Sequence, residues 1–170
     1  MGQGMLHRLI AVFMEISPSF RHACSSKGIE ELAILVHGIM SRRTRQFHTL
    51  EHVFGFIDGS DYLTALAAVF HDLVYFQIDD GLPAELSARL AAYVVIEADG
   101  IRVRPEFPVE DNSFKALCMV FNVQPGALLR PSGGLNEFLS ALAMVKLMAR
   151  YLDFQQLVAL LVCIEASIPF

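Results

Sequence analysis

Three histidines and one aspartate stand out because their types and spacing suit a bound metal ion. His48 and His52 are four residues apart, so a helix beginning just before them would present both rings on one face. His71 and Asp72 are adjacent and follow the apolar run 66–70. A carboxylate placed among aliphatic side chains needs a partner that offsets its desolvation, and a cation serves the neighbouring imidazole as well.

The donor atoms of these side chains narrow the kind of metal. Imidazole nitrogen combined with carboxylate oxygen suits Mn, Fe, Co, Ni or Zn, whereas Mg and Ca prefer oxygen ligands alone. An adjacent histidine and aspartate are, by themselves, more often a hydrogen-bonded pair than a ligand set. His48 on a separate helix could pack across from His71 and Asp72, and this third group favours a metal site.

The segments around these side chains resemble a known family. Residues 45–53, R-Q-F-H-T-L-E-H-V, are similar to the R-x-[YF]-H-[NT]-L-x-H-[IV] signature of a small branch of the HD-superfamily phosphohydrolases. Residues 70–75, F-H-D-L-V-Y, are similar to its F-H-D-x-V-Y signature. Residues 85–88, E-L-S-A, resemble its N-E-x-x-S-A segment without the asparagine and at shorter spacing. The three matches occur in the family's order over about a quarter of the chain.

The resemblance implies an all-α, HD-domain-like helical bundle with metal ligands in the pattern H…HD…D. His48, His71 and Asp72 would bind the metal, and the activity would be metal-dependent hydrolysis of a small phosphate ester or nucleotide. Asp72 would also position the attacking hydroxide, while His52 and Arg45 would stabilise charge on the phosphate. The alternatives are a surface or supporting histidine for His52 and a solvated loop arginine for Arg45.

The last acid of the family pattern has no clear counterpart in this chain. Asp99 and Asp111 fall in expected loops, and Asp153 stands at a helix start, where capping explains it. Glu137 and Glu165 are the acids in an apolar helical context. Glu137, Glu165 or Asp153 could replace the missing ligand. It could also be absent because the chain is an HD-like domain lacking its C-terminal part.

Helical periodicity accounts for most of the sequence. Apolar stripes predict helices over 6–14, 29–40, 49–57, 62–75, 135–152 and 154–166. Pro83 suits the first turn of another helix, running to about residue 97. Segments 99–112 and 124–134 are expected loops, and 113–122 is a helix or a short strand. Strand-type alternation is not sustained anywhere, so the sequence predicts one all-α domain over 1–170, with room for a minor hairpin.

Composition limits the partners. Hydrophobic residues make up 54% of the chain and charged residues 18%, but the longest clean apolar run, 157–164, is far too short to span a membrane. The apolar surplus favours buried helices or a homo-oligomer. The net charge of −5 argues against nucleic acid. Three scattered cysteines, which form no zinc-binding pattern, indicate buried free thiols and a cytoplasmic location.

Two functions remain open at this point. The first is the phosphohydrolase, which the intact His48, His71 and Asp72 favour. The alternative is a catalytically silent HD-like domain that binds a ligand or a protein partner, which the missing acid and the apolar surplus favour. A helical scaffold without metal is the third interpretation. The first function requires the His48 ring to lie beside His71 and Asp72.

Overall fold

The structure is a computed structural model that describes residues 2–45, 48–57, 59–79, 81–131 and 133–168. Gln46 and Phe47, which belong to the first resemblance segment, lie outside these ranges. Within the described ranges the chain forms eight α-helices. They are α1 Gly2–Ile16, α2 Ser26–Met40, α3 Leu50–Ile57, α4 Tyr62–Phe70, α5 Ala84–Leu90, α6 Asn112–Val120, α7 Leu135–Met148 and α8 Phe154–Glu165.

A small antiparallel sheet of three strands completes the described fold. Its strands are β1 Val94–Glu97, β2 Gly100–Val103 and β3 Leu128–Leu129, in the order β1-β2-β3. Glycine is required at position 100, because a Cβ there would come within 2.1 Å of the Leu129 carbonyl oxygen. The absence of a side chain at Gly100 therefore allows β3 to pair with the hairpin.

Helix α7 lies at the centre of the bundle. It packs against α4, α5, α6 and α8, and nearly all of its residues are buried. A helix that is apolar on every face is stable only where neighbours cover it on all sides. Two of its buried residues, Asn136 and Ser140, are polar, and their partners lie in the segment that carries the candidate site.

Most of the helices predicted from periodicity are present, with three differences. The predicted helix 62–75 ends at Phe70, so His71 and Asp72 follow it rather than lie inside it. The helix expected from Pro83 to about residue 97 ends at Leu90. Residues 94–97 form β1 instead, because Val94, Val95 and Ile96 are β-branched and pair with β2. The fold is thus mostly helical. The minor hairpin that the sequence left room for is formed by β1 and β2, and β3 pairs with it as a third strand.

No helix in the described ranges is both long and apolar enough to cross a lipid bilayer.

Candidate metal site

The two histidines of the first segment are placed by the start of α3. His52 lies in the first turn of the helix, but His48 precedes the helix and has a left-handed backbone with φ of 57°. The expected helix containing both residues is therefore wrong. Their rings are still neighbours, with centroids 6.0 Å apart. Histidine is one of the few non-glycine residues enriched in this conformation.

The end of α4 places the other two residues. The Asp61 carboxylate caps the start of this helix by accepting hydrogen bonds from the Leu63 and Thr64 amides. The residues that follow in α4 are almost entirely apolar. His71 is the C-terminal cap, and Asp72 lies in the turn beyond it with 5% of its surface exposed. Asp72 is therefore buried at a helix end, where its carboxylate can face another segment.

Both histidines predicted as ligands meet the Asp72 carboxylate at one oxygen. Asp72 Oδ2 lies 2.6 Å from His48 Nδ1 and 2.8 Å from His71 Nε2. The structure therefore brings together the three residues selected from the sequence. His48, His52 and Asp72 also form a group whose potential ligand atoms all lie within 4.8 Å of one another, which could hold a metal ion. His52, which was predicted to contact the phosphate, belongs to this group, whereas His71, which was predicted as a metal ligand, does not.

The orientation of the His71 ring fits a cation. Its Nδ1 lies 2.9 Å from the Ala68 carbonyl oxygen, which can only accept a hydrogen bond, so Nδ1 carries the proton. In the neutral ring Nε2 then has a lone pair that faces the Asp72 carboxylate. Two such electron-rich atoms at 2.8 Å need a proton or a cation near them. Metal-binding histidines commonly have this backbone hydrogen bond on the other ring nitrogen.

Without metal, a proton stabilises the pair. Burial is the largest influence on both groups, lowering the pKa of His71 and raising the pKa of Asp72. Their mutual hydrogen bond and charge attraction outweigh burial, so the pKa of His71 is raised and the pKa of Asp72 is lowered. His48 contributes further to the lowered pKa of Asp72. A metal ion bound here would therefore compete with a proton.

Arg45 is neither a phosphate-binding residue nor a solvated loop arginine, the two interpretations drawn from the sequence. Its side chain is 1% exposed and forms a buried ion pair with Asp79. It also donates hydrogen bonds to the carbonyl oxygens of Asp72 and Leu73, each at 2.8 Å. A phosphate contact and a solvated loop arginine would both need an exposed guanidinium, so both interpretations are corrected. Arg45 instead anchors the backbone that carries Asp72.

Helix α7 supports the same segment with two residues that the sequence analysis did not select. Ser140 Oγ accepts a hydrogen bond from the Val74 amide at 2.9 Å. Asn136 Oδ1 accepts one from the Phe76 amide, also at 2.9 Å. The signal for both was polar residues inside an otherwise apolar helix, where they need specific partners. These bonds and Arg45 fix the turn after Asp72 from two sides.

Of the three acids considered as a last ligand, one lies at the site. Glu137, in the first turn of α7, lines a cleft of about 540 Å³ together with His48 and Asp72. Its negative charge also contributes to the raised pKa of His71. Asp153 caps α8, as the sequence predicted. Glu165 is the last residue of α8. Glu137 is thus the acid that the fold brings near the metal-binding group.

Comparisons with protein-family models, curated proteins and solved structures give no match for this chain. The likeness to the HD superfamily therefore rests on the three sequence segments alone.

Proposed function

We propose that this protein is a metal-dependent phosphohydrolase of HD type that acts on a small phosphate ester. The observation that carries the proposal is the meeting of His48 and His71 at one carboxylate oxygen of Asp72. These residues come from separate segments, and a cleft opens beside them. Such a cluster, with shifted pKa values and an open cleft, is typical of functional sites.

The residues would divide into ligands and supports. His48, His52 and Asp72 would hold the metal. His71 would support the Asp72 carboxylate through its 2.8 Å contact, and Glu137 would lie in the adjoining cleft. This mixture of nitrogen and oxygen donors suits Mn, Fe, Co, Ni or Zn better than Mg. Such an ion, when bound, lowers the pKa of a water molecule and polarises the phosphoryl group.

The protein's own groups would bind and orient the ester. His52 is the exposed member of the ligand group, so a phosphate oxygen can approach it. Asp72 is held by Arg45 through the backbone, which keeps its carboxylate directed at the two imidazoles. Preorganised charge of this kind favours the transition state, because little rearrangement is needed when charge develops on the phosphate.

A catalytically silent ligand-binding domain is the second candidate, and one observation favours it. No lysine or arginine is among the described residues that line the cleft containing His48, Asp72 and Glu137. Arg45, the cation expected to bind phosphate, is buried against Asp79. A phosphate in this site would therefore depend on the metal for positive charge, because a histidine that binds a metal is neutral.

Metal titration followed by turnover separates the candidates. Protein stripped with EDTA is titrated with Mn, Co, Ni, Zn and Mg by calorimetry and then assayed for phosphate release from mono- and diesters. We expect Mn, Co, Ni and Zn to bind more tightly than Mg and to support turnover. Asp72→Asn should weaken binding at least about tenfold, judged from the effects of altering groups that support metal ligands.

Asp99→Asn is the matched control, because Asp99 is an exposed partner of Arg130 and lies outside the ligand group. Metal binding without turnover of any ester would select the silent domain. Equal metal binding by the wild type and Asp72→Asn would remove the proposed site altogether.

A further inference from the structure

A second cleft adjoins the candidate metal site, and its lining is mainly apolar. It has a volume of about 310 Å³, near the lower end of the range of small-molecule sites, and lies between α3, α4 and α8. Among its lining residues are Phe56, Ala67, Ala68, His71 and Cys163. His71 forms part of this wall and also contacts Asp72 at 2.8 Å. His71 therefore links the apolar cleft to the Asp72 carboxylate of the metal-binding group.

Phe56 gives this cleft an aromatic surface beside the site. Its side chain is 54% exposed although it belongs to a packed helix. The ring meets His52 nearly edge-on with centroids 4.8 Å apart, and its centroid is 6.5 Å from that of His71. Apolar surface left in water gains free energy when a ligand covers it. An apolar group bound next to Phe56 would lie within reach of both histidines.

The two clefts differ in chemistry. The larger one, which contains His48 and Asp72, also has Gln77, Asn136 and Glu137 in its lining. The smaller one contains no lysine, arginine, aspartate or glutamate among its described lining residues. A charged group would lose hydration in the smaller cleft without gaining an ionic partner, and a strongly hydroxylated group would meet only Thr64, His71 and Ser167 as polar partners in a mainly apolar lining.

We propose that the apolar cleft holds the leaving group of the substrate, so that the enzyme prefers phosphate monoesters of uncharged aryl or short alkyl alcohols. This inference rests on the proposed hydrolase function and specifies its substrate class. In hydrolysis, a P–O bond forms to water and the P–O bond to the alcohol breaks. The alcohol oxygen takes a proton that the water gave up, and the products are the free alcohol and inorganic phosphate. The cleft accommodates the alcohol, and the metal-binding group faces the phosphate.

Substrate selectivity tests the assignment. The ratio of kcat/KM for phenyl phosphate to that for O-phosphoserine is measured in the wild type, Phe56→Ala and Ala67→Leu. The first variant removes the aromatic wall, and the second fills the cleft. Each should lower this ratio about tenfold, as expected for the loss of part of a buried ring contact. Phe154→Ala removes a phenylalanine of similar exposure, 51%, outside the cleft and should leave the ratio unchanged.

A binding measurement tests the cleft without turnover. Cys163 is exposed and lines the cleft, Cys24 is half-buried elsewhere, and Cys118 is buried with its pKa raised to about 11. In the presence of Mn, phenylphosphonate should slow alkylation of Cys163 by iodoacetamide, while methylphosphonate should not. Alkylation of Cys24, followed in the same mass spectra, is the internal control.

The outcomes of these two experiments separate the cleft assignment from the proposed hydrolase function. Selective protection of Cys163 with no turnover of any ester would support the cleft and reject the hydrolase. Turnover with a selectivity ratio that neither cleft variant changes, and equal protection by both phosphonates, would overturn the cleft assignment and leave the hydrolase standing.

Discussion

Arg45 shows how a single buried residue can support a site without touching a substrate. Its guanidinium pairs with Asp79, and both side chains are almost completely excluded from solvent. It also binds the carbonyl oxygens of Asp72 and Leu73. The same residue type on the surface makes a much weaker contribution, because water competes for the charge. The chain offers such a surface arginine in Arg42, which pairs with Glu85.

Arg45→Met should lower the free energy of unfolding by roughly 3–5 kcal/mol, because Asp79 is left buried and uncompensated. Arg42→Met is the control and should cost no more than about 1 kcal/mol, since both members of its pair are partly exposed. Urea unfolding measures both values. Equal costs for the two variants would contradict the structural role of Arg45.

A partly buried carboxylate away from the site, Asp111, contributes to stability at acid pH. Asp111 caps α6 through the Phe114 amide, accepts a hydrogen bond from the Tyr93 hydroxyl and contacts the Lys146 ammonium. Burial alone would raise the pKa of Asp111, but these three partners lower it overall. The folded state therefore binds the proton less readily than the unfolded chain does.

The contribution of Asp111 should be complete above the unfolded pKa, about 3.9, and should disappear as the pH falls through the lower folded pKa. Asp111→Asn should cost about 2 kcal/mol at pH 7, from weakened charge-assisted hydrogen bonds, and should flatten the acid limb of stability against pH. Urea unfolding at several pH values measures this. The exposed Asp99→Asn variant should keep the wild-type slope, and an unchanged slope in Asp111→Asn would refute the assignment.

At the scale of elements, α7 is both the centre of the core and a support for the site. Ser140 and Asn136 provide acceptors for the Val74 and Phe76 amides, which the irregular turn after Asp72 cannot pair within itself. A buried amide without an acceptor costs free energy comparable to a lost hydrogen bond. The turn is therefore held in place by a helix more than sixty residues further along the chain.

Ser140→Ala should lower the unfolding free energy by about 1–3 kcal/mol, because the Val74 amide loses its acceptor in a buried position. It should also weaken metal binding, since the turn carrying Asp72 loses a support. Ser87→Ala is the control: the Ser87 hydroxyl donates to carbonyl oxygens at the start of its own helix, away from the site. Calorimetric titration with Mn compares the two. If Ser140→Ala left the metal affinity unchanged, the proposed support of the metal site by α7 would be wrong.

Sequence patterns predicted the helices well and their ends poorly. Continuous apolar stripes predict α1, α2, α7 and α8 because helices must bury one face or more. The helix predicted through residue 75 ends at Phe70, because the turn that follows is held by distant partners that periodicity cannot show. Residues 94–97 were predicted as helix and form β1, because pairing with β2 outweighed local periodicity.

The candidate site was predicted in its residue types but not in its supports. Spacing and residue type selected His48, His71 and Asp72, which the fold brings together. The burial of Arg45 depends on Asp79, which is 34 residues away in sequence, so it could not be deduced from a local segment. The metal, the substrate and the pairing of two copies of the chain stay predictions.

At the scale of the whole molecule, the candidate ligands connect distant parts of the chain. His48 precedes α3, Asp72 follows α4, and Glu137 begins α7. A metal held by such residues can bind tightly only when these segments are folded together. Its binding free energy therefore adds to the stability of the whole domain.

Mn at 100 times its dissociation constant should stabilise the protein by about 2.7 kcal/mol. For a chain of this size the Tm should rise by roughly 5–10 °C, and EDTA should reverse the rise. Differential scanning calorimetry measures both. Asp72→Asn, whose binding is at least about tenfold weaker, should show at most about half of that rise at the same Mn concentration. A rise in that variant equal to the wild-type rise would mean that the metal binds elsewhere.

The left-handed backbone at His48 limits how the metal preference of this protein can be retuned. Asparagine and aspartate tolerate that conformation well and bring oxygen donors, whereas valine or isoleucine would strain it. Exchange of one histidine codon for an aspartate codon would thus replace a nitrogen donor by an oxygen donor with little disturbance of the chain. Oxygen-rich sites favour hard cations such as Mg. A single substitution at position 48 could therefore shift the metal preference of the site during evolution.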